Sequence, residues 1–191
     1  VWKSSLLEER LRGLISIFED KILGTDGHLK LFFDDDWNCN YDIFSYGHDI
    51  EASWLIHEAA LVLGDPEVLE RIEKIVPHIA EAASEGFTPE GGMIYERVGE
   101  EIDRDRHWWV QAESVVGYFN LWDHFGSRKD LENALMCWDF IKASIIDKEN
   151  GEWFWSLRAD GSINRVDDKA GFWKCPYHNG RMCMEIIERT R

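Results

Sequence analysis

The sequence predicts an all-α fold of the toroid type, in which three helical hairpins make half of a six-hairpin ring and short β-hairpins lie in the long loops. Amphipathic helices alternate along the chain with helices that are apolar around most of their circumference. The connections into the apolar helices are long, whereas those out of them are short. This repeat of about 60 residues is typical of stacked or closed helical arrays. We expect the apolar helices to form a parallel inner layer, with their N-termini gathered beneath the three long loops.

The first amphipathic helix is predicted over residues 6–23 from an apolar stripe at helical spacing. Ser5 and Glu8 have the spacing of a capping box at its start, and Gly24 ends it. In the loop that follows, alternating apolar residues over 29–33 predict a short strand.

The acidic triplet 34–36 then indicates a turn that is exposed to solvent. A metal site there is the less favoured interpretation, because no histidine or further carboxylate is spaced to complete a ligand shell.

The second and third helices are predicted over residues 48–63 and 66–83. Asp65 and Pro66 are typical of an N-cap followed by a proline in the first helical position. Pro77 lies inside the apolar pattern of the third helix, and we expect it to kink or split that helix, because proline lacks the backbone N–H donor.

The second half of the chain repeats this arrangement. After a glycine-containing loop, residues 107–125 predict a mostly apolar helix and residues 129–146 an amphipathic one. The inward residues of the amphipathic helix are predicted to be Leu131, Leu135, Trp138, Ile141 and Ile145. In the loop over 147–176, Asp160-Gly161 indicates a β-hairpin turn. A sixth helix starts near Tyr177.

The composition narrows the class of function. With 37 acidic and 21 basic residues, the net charge of −16 argues against nucleic acid and against an anionic membrane surface, and suits a soluble enzyme with a neutral substrate. The absence of a CxxC spacing favours free thiols in a reducing, cytoplasmic compartment. The cysteines are Cys39, Cys137, Cys175 and Cys183. We find no signal peptide or membrane-spanning run, and the start at Val1 rather than Met suggests a fragment or a processed product.

Two histidines stand at predicted helix starts and are the candidates for chemistry. His48 shares a helix face with Glu51, three residues on, and His178 shares one with Arg181. A helix N-terminus disfavours the imidazolium form, so such a ring is able to accept a proton near neutral pH. Taken alone, the first pair is better explained by a capping histidine, and the alternative for His178 is a structural histidine.

Taken together, the two histidines form a stronger pattern. At equivalent positions of two inner helices they would face one cavity, with Trp108 or Trp109 between them. Two opposed imidazoles suit reversible proton transfer at a carbon α to a carbonyl, which needs no metal, nucleotide or other cofactor. We interpret the other histidines as surface or packing residues. They are His28, His57, His78, His107 and His124.

Three stretches, residues 45–54, 108–113 and 173–181, resemble motifs of the N-acylglucosamine 2-epimerase superfamily, in family order. The resemblance implies that this chain is a single domain, the C-terminal portion of an (α/α)6 barrel. It also implies epimerisation at C2 of the reducing-end glucose of cellobiose or a related β-1,4 disaccharide. The implied route is ring opening, proton abstraction to an enediolate and reprotonation.

The resemblance also implies roles for single residues. His48 and His178 match the acid/base histidines of the family. The residues that match positions supporting or lining its sugar site are Glu51, Trp109, Glu113 and Trp173, and we assign Trp54 and Trp108 from the same motifs to substrate binding as well. The first half of the barrel, with its own sugar contacts, is absent, so we expect it to be a partner of this chain.

Other functions remain open at this point. An N-acylglucosamine 2-epimerase or an aldose–ketose isomerase of the same superfamily would use the same enediolate step. A glycoside hydrolase on a similar toroid would instead use two carboxylates such as Glu51 and Glu113. A truncated chain that serves only as an interaction partner would catalyse nothing.

Overall fold

The computed structural model describes residues 4–191, which form a mainly helical protein with small sheets in its loops, in agreement with the all-α prediction. Helices α1 and α5 each continue into one π-helical segment, Phe18–Ile22 and Ile141–Ile145 respectively. The six α-helices of this part of the chain are α1 Ser5–Ile17, α2 Tyr46–Leu63, α3 Pro66–Ala83, α4 Trp108–Phe125, α5 Arg128–Phe140 and α6 His178–Arg189. None of them is long and apolar enough to cross a bilayer.

The predicted start of α3 is confirmed, and two glycines end α2 and α4. The carboxylate of Asp65 accepts hydrogen bonds from the backbone N–H groups of Glu67 and Val68, and Pro66 occupies the first turn of α3. Gly64 and Gly126 follow α2 and α4 in the left-handed conformation, with φ of 69° and 70°, which glycine adopts without steric cost.

The predicted capping box at the start of α1 is wrong. Ser4 is the N-cap residue and makes no side-chain cap, while Ser5 already lies inside the helix. The backbone N–H of Glu8 instead donates to the carbonyl oxygen of Ser4 over 3.0 Å. The helical run ends at Leu23, which is extended.

Pro77 does not split α3, which runs without interruption from Pro66 to Ala83. Pro77 lies on the exposed side of the helix, whereas Val76 and Ile79 on either side of it are buried. Packing of these neighbours against the core holds the helix together where one backbone hydrogen bond is missing.

Short strands tie the long loops to one another. β1 (Ile43–Ser45), β2 (Glu96–Val98) and β3 (Glu101–Asp103) form an antiparallel sheet in that order, with Ser45 opposite Glu96. β4 (Arg106–His107) pairs with β5 (Ser156–Leu157), with His107 opposite Ser156. Residues from different repeats are thereby joined above the helix N-termini.

One of the loop predictions is corrected and two are confirmed. The strand predicted over 29–33 does not form, because Leu29 and Phe33 make only isolated bridges, to Leu23 and Cys39. The hairpin at Asp160-Gly161 is present, with Gly161 at φ 84° and an antiparallel bridge between Leu157 and Ile163, and strand β5 also pairs with β4 of another loop. The acidic triplet 34–36 is an exposed turn, as predicted.

Helices α2, α4 and α6 lie side by side, with α4 in the middle, while α3 packs on α2 and α5 on α4. Near their N-termini, Trp54 of α2 contacts Glu113 of α4. Near their C-termini, Arg189 of α6 contacts Glu58 of α2 and Asn120 of α4. The three helices therefore run parallel, as predicted, and their N-termini meet at one end.

The burial of the outer helices differs from the prediction. In α1 only Ile15 is buried, whereas Leu7 and Leu14, which lie on the apolar stripe of this helix, are 57% and 64% exposed. In α5 the predicted inward residue Leu135 is 54% exposed. An apolar groove of about 410 Å³ opens between α4, α5 and α6. Apolar surface is thus exposed on both flanks of the inner layer.

Candidate active site

A cleft of about 600 Å³ opens at the N-terminal ends of α2, α4 and α6. It is lined by Phe32, His48, Glu51, Tyr95, His107, Trp108, Trp109, Trp155, Trp173 and His178. Six of the eight predicted site residues are in this lining, while Trp54 and Glu113 lie beneath it. The structure therefore brings together the three motifs that the sequence analysis singled out.

His48 lies in the first turn of α2 and keeps an exposed surface in the cleft. Its Nδ1 atom is 2.7 Å from the hydroxyl oxygen of Ser45 at the end of β1, which orients the ring and leaves Nε2 available. Desolvation by the surrounding protein lowers the pKa of His48, and repulsion from His178 adds to this, although Asp49 opposes it. The ring is therefore held neutral at pH 7 and able to accept a proton.

Close packing of α2 against α4 brings Trp109 to His48. A Cβ atom at Gly47 would lie only 2.6 Å from Cη2 of Trp109, so a glycine at this position allows the indole to approach. The ring centroids of His48 and Trp109 are 4.8 Å apart, and those of Trp109 and His178 are 5.5 Å apart. Trp109 is thus in contact with both histidines, as the sequence suggested for Trp108 or Trp109.

His178 is oriented by a buried carboxylate. Its Nδ1 atom lies 2.6 Å from Oε1 of Glu113, whose side chain is 1% exposed. Glu113 also receives hydrogen bonds from Arg181 on Oε1 and from the indole N–H of Trp54 on Oε2. Because a carboxylate oxygen accepts hydrogen bonds, Nδ1 of His178 donates to Glu113, and Nε2 is the nitrogen left for the cleft.

Arg181 joins two carboxylates that come from different helices. Its Nη2 atom donates to Oε1 of Glu113 over 2.7 Å and also to Oε1 of Glu51. Burial raises the pKa of Glu51, as does the nearby charge of Glu113, while the bond to Arg181 opposes both effects. The sequence analysis placed Arg181 on the face of His178 but did not include it in the site. Its spacing from His178 was the available signal.

The same cluster has the donor set of a small metal site. Glu51, Glu113 and His178 each offer one ligand atom, all within 4.8 Å of one another. However, the guanidinium of Arg181 already contacts both carboxylates. A cationic side chain therefore provides the charge compensation that a metal ion would supply.

The positions of Trp54 and Glu113 differ from the substrate-binding role predicted for them. Both are buried below the cleft, and Trp54 packs its ring 5.0 Å from the Arg181 guanidinium. Their geometry fits the orientation of His178 and Arg181 rather than contact with a ligand. Trp173 lies at the opposite extreme, since it is 82% exposed at the rim of the cleft.

Several lining residues were missed by the sequence analysis. Tyr95 stacks on His107 with ring centroids 4.0 Å apart, and Trp155 meets His107 edge to face. His107 thus packs against two aromatic rings, as predicted, and it also lines the cleft. The pairing of β4 with β5 brings His107 close to Trp155, which local periodicity does not reveal. The position of His107 immediately before α4, like that of the other motif histidines at helix starts, was the only signal.

The buried histidines His28 and His57 fit the packing role predicted for them. Nδ1 of His28 lies 2.7 Å from Oδ2 of Asp49, and its ring stacks on Phe44. Nδ1 of His57 lies 3.1 Å from the amide nitrogen of Asn120, toward the C-terminal ends of the inner helices. Neither residue lines the cleft.

Comparison with known proteins gives one consistent family. Residues 6–180 match the protein family described as N-acylglucosamine 2-epimerase (GlcNAc 2-epimerase). A protein of Bacteroides fragilis named cellobiose 2-epimerase is 61% identical over 190 residues, which are 98% of this chain and 48% of that protein.

Similar solved structures are also sugar epimerases. A sugar epimerase from a ruminal bacterium has a TM-score of 0.94 and 40% identity, and the match covers 98% of this chain and 49% of that one. The cellobiose 2-epimerase of Bacillus thermoamylovorans has a TM-score of 0.92 and 39% identity, covering 99% and 49%. The chain thus spans about half the length of the relatives it matches.

Proposed function

Because the chain belongs to the N-acylglucosamine 2-epimerase family, we propose that it forms part of a carbohydrate 2-epimerase. The proposed reaction converts the reducing-end glucose of cellobiose, or of a related β-1,4 disaccharide, to mannose. The observation that carries the proposal is the placement of His48 and His178 against the same indole, Trp109, at the mouth of one cleft. Two imidazoles so placed are able to act on opposite faces of one carbon.

The proposed mechanism begins with the open-chain sugar, in which the proton on C2 is α to the carbonyl. One imidazole removes this proton through its Nε2 atom and leaves an enediolate, and the other returns a proton to the opposite face. Because desolvation lowers the pKa of His48, its ring suits proton abstraction near neutral pH. The tautomer of His178 imposed by Glu113 likewise leaves Nε2 toward the reacting carbon.

The aromatic lining supports a sugar as the substrate. Flat indole and phenol rings pack well against the apolar faces of pyranose rings. Trp109 lies between the two histidines, and Trp173 stands exposed at the rim. We therefore assign Trp109 to the sugar unit that reacts and Trp173 to the part of the disaccharide that extends out of the cleft.

We also propose that residues 1–191 are one domain, the C-terminal portion of an (α/α)6 barrel. The parallel inner layer and the outer helices packed on it support this arrangement. The exposed apolar faces of α1 and of the groove between α4, α5 and α6 support a further half that covers them. The proposed location is the cytoplasm, in keeping with the four free cysteines.

The carboxylates give little support to a glycoside hydrolase. Such an enzyme needs an acid and a base on either side of the scissile bond. Here Oε1 of Glu51 and Oε1 of Glu113 both contact Nη2 of Arg181, and Glu113 is buried beneath the cleft. A pair engaged in this way suits the orientation of His178 better than direct attack on a sugar.

The test is a product assay with a fusion that supplies the remaining length from the Bacteroides fragilis relative. Cellobiose is incubated with the fusion and the products are separated by chromatography and identified by NMR. The proposal expects a disaccharide with mannose at its reducing end. Free monosaccharides would indicate a hydrolase, and an unchanged substrate with a folded fusion would contradict the proposal. N-acetylglucosamine and mannose, assayed in parallel, test the other activities of the superfamily.

A further inference from the structure

Lys174 is a fully buried lysine in the loop that leads into α6. Its side chain has no exposed surface, and its ammonium group donates three hydrogen bonds, one for each of its N–H groups. The acceptors are Oε1 of Glu152 at 3.0 Å and the carbonyl oxygens of Trp153 at 2.9 Å and Lys169 at 2.7 Å. Burial of an ammonium is costly unless its donors are satisfied, so this site is built around the charge.

The carboxylate of Glu152 connects Lys174 to the first turn of α6. Its Oε1 atom also accepts a hydrogen bond of 3.0 Å from the side-chain amide of Asn179, the residue after His178. Glu152 adopts a left-handed backbone with φ of 60°, a conformation that is uncommon outside glycine. Such strain persists where the surroundings determine the conformation, and here Lys174 and Asn179 both bind the strained residue.

Lys174 also contacts the floor of the cleft. Its Nζ atom lies 4.7 Å from the centre of the Trp108 ring, within the range of a cation–π interaction. The Trp108 ring in turn meets the ring of His178 edge to face, with centroids 5.4 Å apart. Lys174 therefore reaches His178 by two routes, through Glu152 and Asn179 and through Trp108.

We propose that Lys174 is a positioning residue that holds His178 at the distance from His48 required for transfer of a proton across C2. The proposal rests on the proposed function of the cleft. All three N–H groups of Lys174 are engaged away from the cleft, so it takes no part in proton transfer itself. The adjoining residue Trp173 stands at the rim, so the same anchor also fixes the aromatic ring assigned to the outer part of the substrate.

The test separates the two half-reactions in D₂O. Deuterium uptake at C2 of the recovered starting sugar reports proton removal and return on one face, whereas epimer formation requires both histidines. Lys174→Met retains the length of the side chain and removes the charge and the donors. In the active fusion, we expect Lys174→Met to raise the ratio of deuterium uptake to epimer formation about tenfold or more with one of the two starting sugars, cellobiose or its epimer. That sugar is the one whose C2 proton His48 removes, because its exchange does not need His178. A misplacement of about 1 Å typically costs about 100-fold in rate, which makes such a change measurable.

Lys142→Met is the matched control. Lys142 also pairs with a carboxylate, that of Asp139, and lies 5.6 Å from the centre of the Trp138 ring, but it does not line the cleft. Its ratio should equal that of the parent fusion. Glu152→Gln weakens the link between Lys174 and Asn179 and should shift the ratio of deuterium uptake to epimer formation in the same direction as Lys174→Met. It tests the positioning role if Lys174→Met does not fold.

Equal losses of exchange and epimerisation in both directions would overturn the positioning role, because general destabilisation removes active enzyme without changing the ratio. A parent fusion that forms no epimer and takes up no deuterium would instead overturn the proposed function, and the positioning role with it.

Discussion

Nδ1 of His178, at the start of α6, lies 2.6 Å from Oε1 of Glu113, which is contributed by α4 65 residues earlier in the chain. The carboxylate is buried and accepts further hydrogen bonds from Arg181 and Trp54. The pair sets which nitrogen of His178 faces the cleft.

Glu113→Gln should lower kcat for epimerisation by about 10²- to 10⁴-fold, the usual contribution of a general acid or base, with little change in KM. The amide removes the anion that holds the Nδ1 proton, while the side chain remains beneath the cleft and out of reach of substrate. Steady-state kinetics of the fusion measure both constants. Glu58→Gln, at the opposite end of the inner layer, is the control. A rise in KM at unchanged kcat would contradict the orienting role.

His48→Ala and His178→Ala should each lose most epimerisation in the fusion, by about 10²- to 10⁴-fold. In D₂O the parent fusion should place deuterium at C2 of the product mannose unit, because the imidazole that removes the proton exchanges it with solvent. NMR of the product measures the deuterium content at C2.

Trp173→Ala should weaken substrate binding through lost stacking, while its residual turnover still labels C2. Product without deuterium would rule out proton exchange with solvent.

The pH dependence of kcat/KM should show its acidic limb below pH 6.5, the ordinary pKa of histidine, because the pKa of His48 is lowered by desolvation and by repulsion from His178. The active form of the proposed base is neutral, so a lower pKa means that more acid is needed to inactivate it. Initial rates at low substrate concentration from pH 5 to 8 measure the limb. An acidic limb centred above pH 6.5 would contradict a neutral His48 base.

Gly47→Ala should destabilise the protein by about 1–3 kcal/mol and reduce epimerisation, because the added methyl group collides with the Trp109 ring. Gly180→Ala is the matched control, since a Cβ atom there has no neighbour within 4 Å and alanine favours the helix. Thermal unfolding and activity are measured on both variants. Equal stability of the two would show that α2 does not depend on glycine for its approach to α4.

The 191-residue chain alone should self-associate in sedimentation experiments, because Leu7 and Leu14 of α1 and the groove beside α6 expose apolar surface. The Leu7→Ser, Leu14→Ser double variant should reduce the association without unfolding the chain, since both side chains are more than half exposed. A parent chain that sediments as a monomer at all concentrations would contradict the proposal that a further half covers these faces.

Local patterns in the sequence were sufficient for the helices and for much of the site. Helices α2, α3 and α4 lie within two residues of their predicted bounds, because apolar periodicity, the Asp65 N-cap and the glycines after α2 and α4 act over a few residues. The alternation of apolar and amphipathic helices correctly predicted a parallel inner layer with its N-termini together. That layer placed His48, Trp109 and His178 at one cleft.

Only the tertiary structure decided the contacts between residues that are distant in sequence. Arg181 contacts Glu51 and Glu113 across 130 and 68 residues of sequence. The pairing of β4 with β5 brings His107 and Trp155 into the cleft, and the burial of Trp54 turns it from a candidate ligand contact into a support for Glu113. Such contacts depend on how whole helices and loops pack, and a periodicity of two or 3.6 residues carries no information about them. The sequence by itself therefore determined which helices form and which ends meet, and packing decided which side chains meet there.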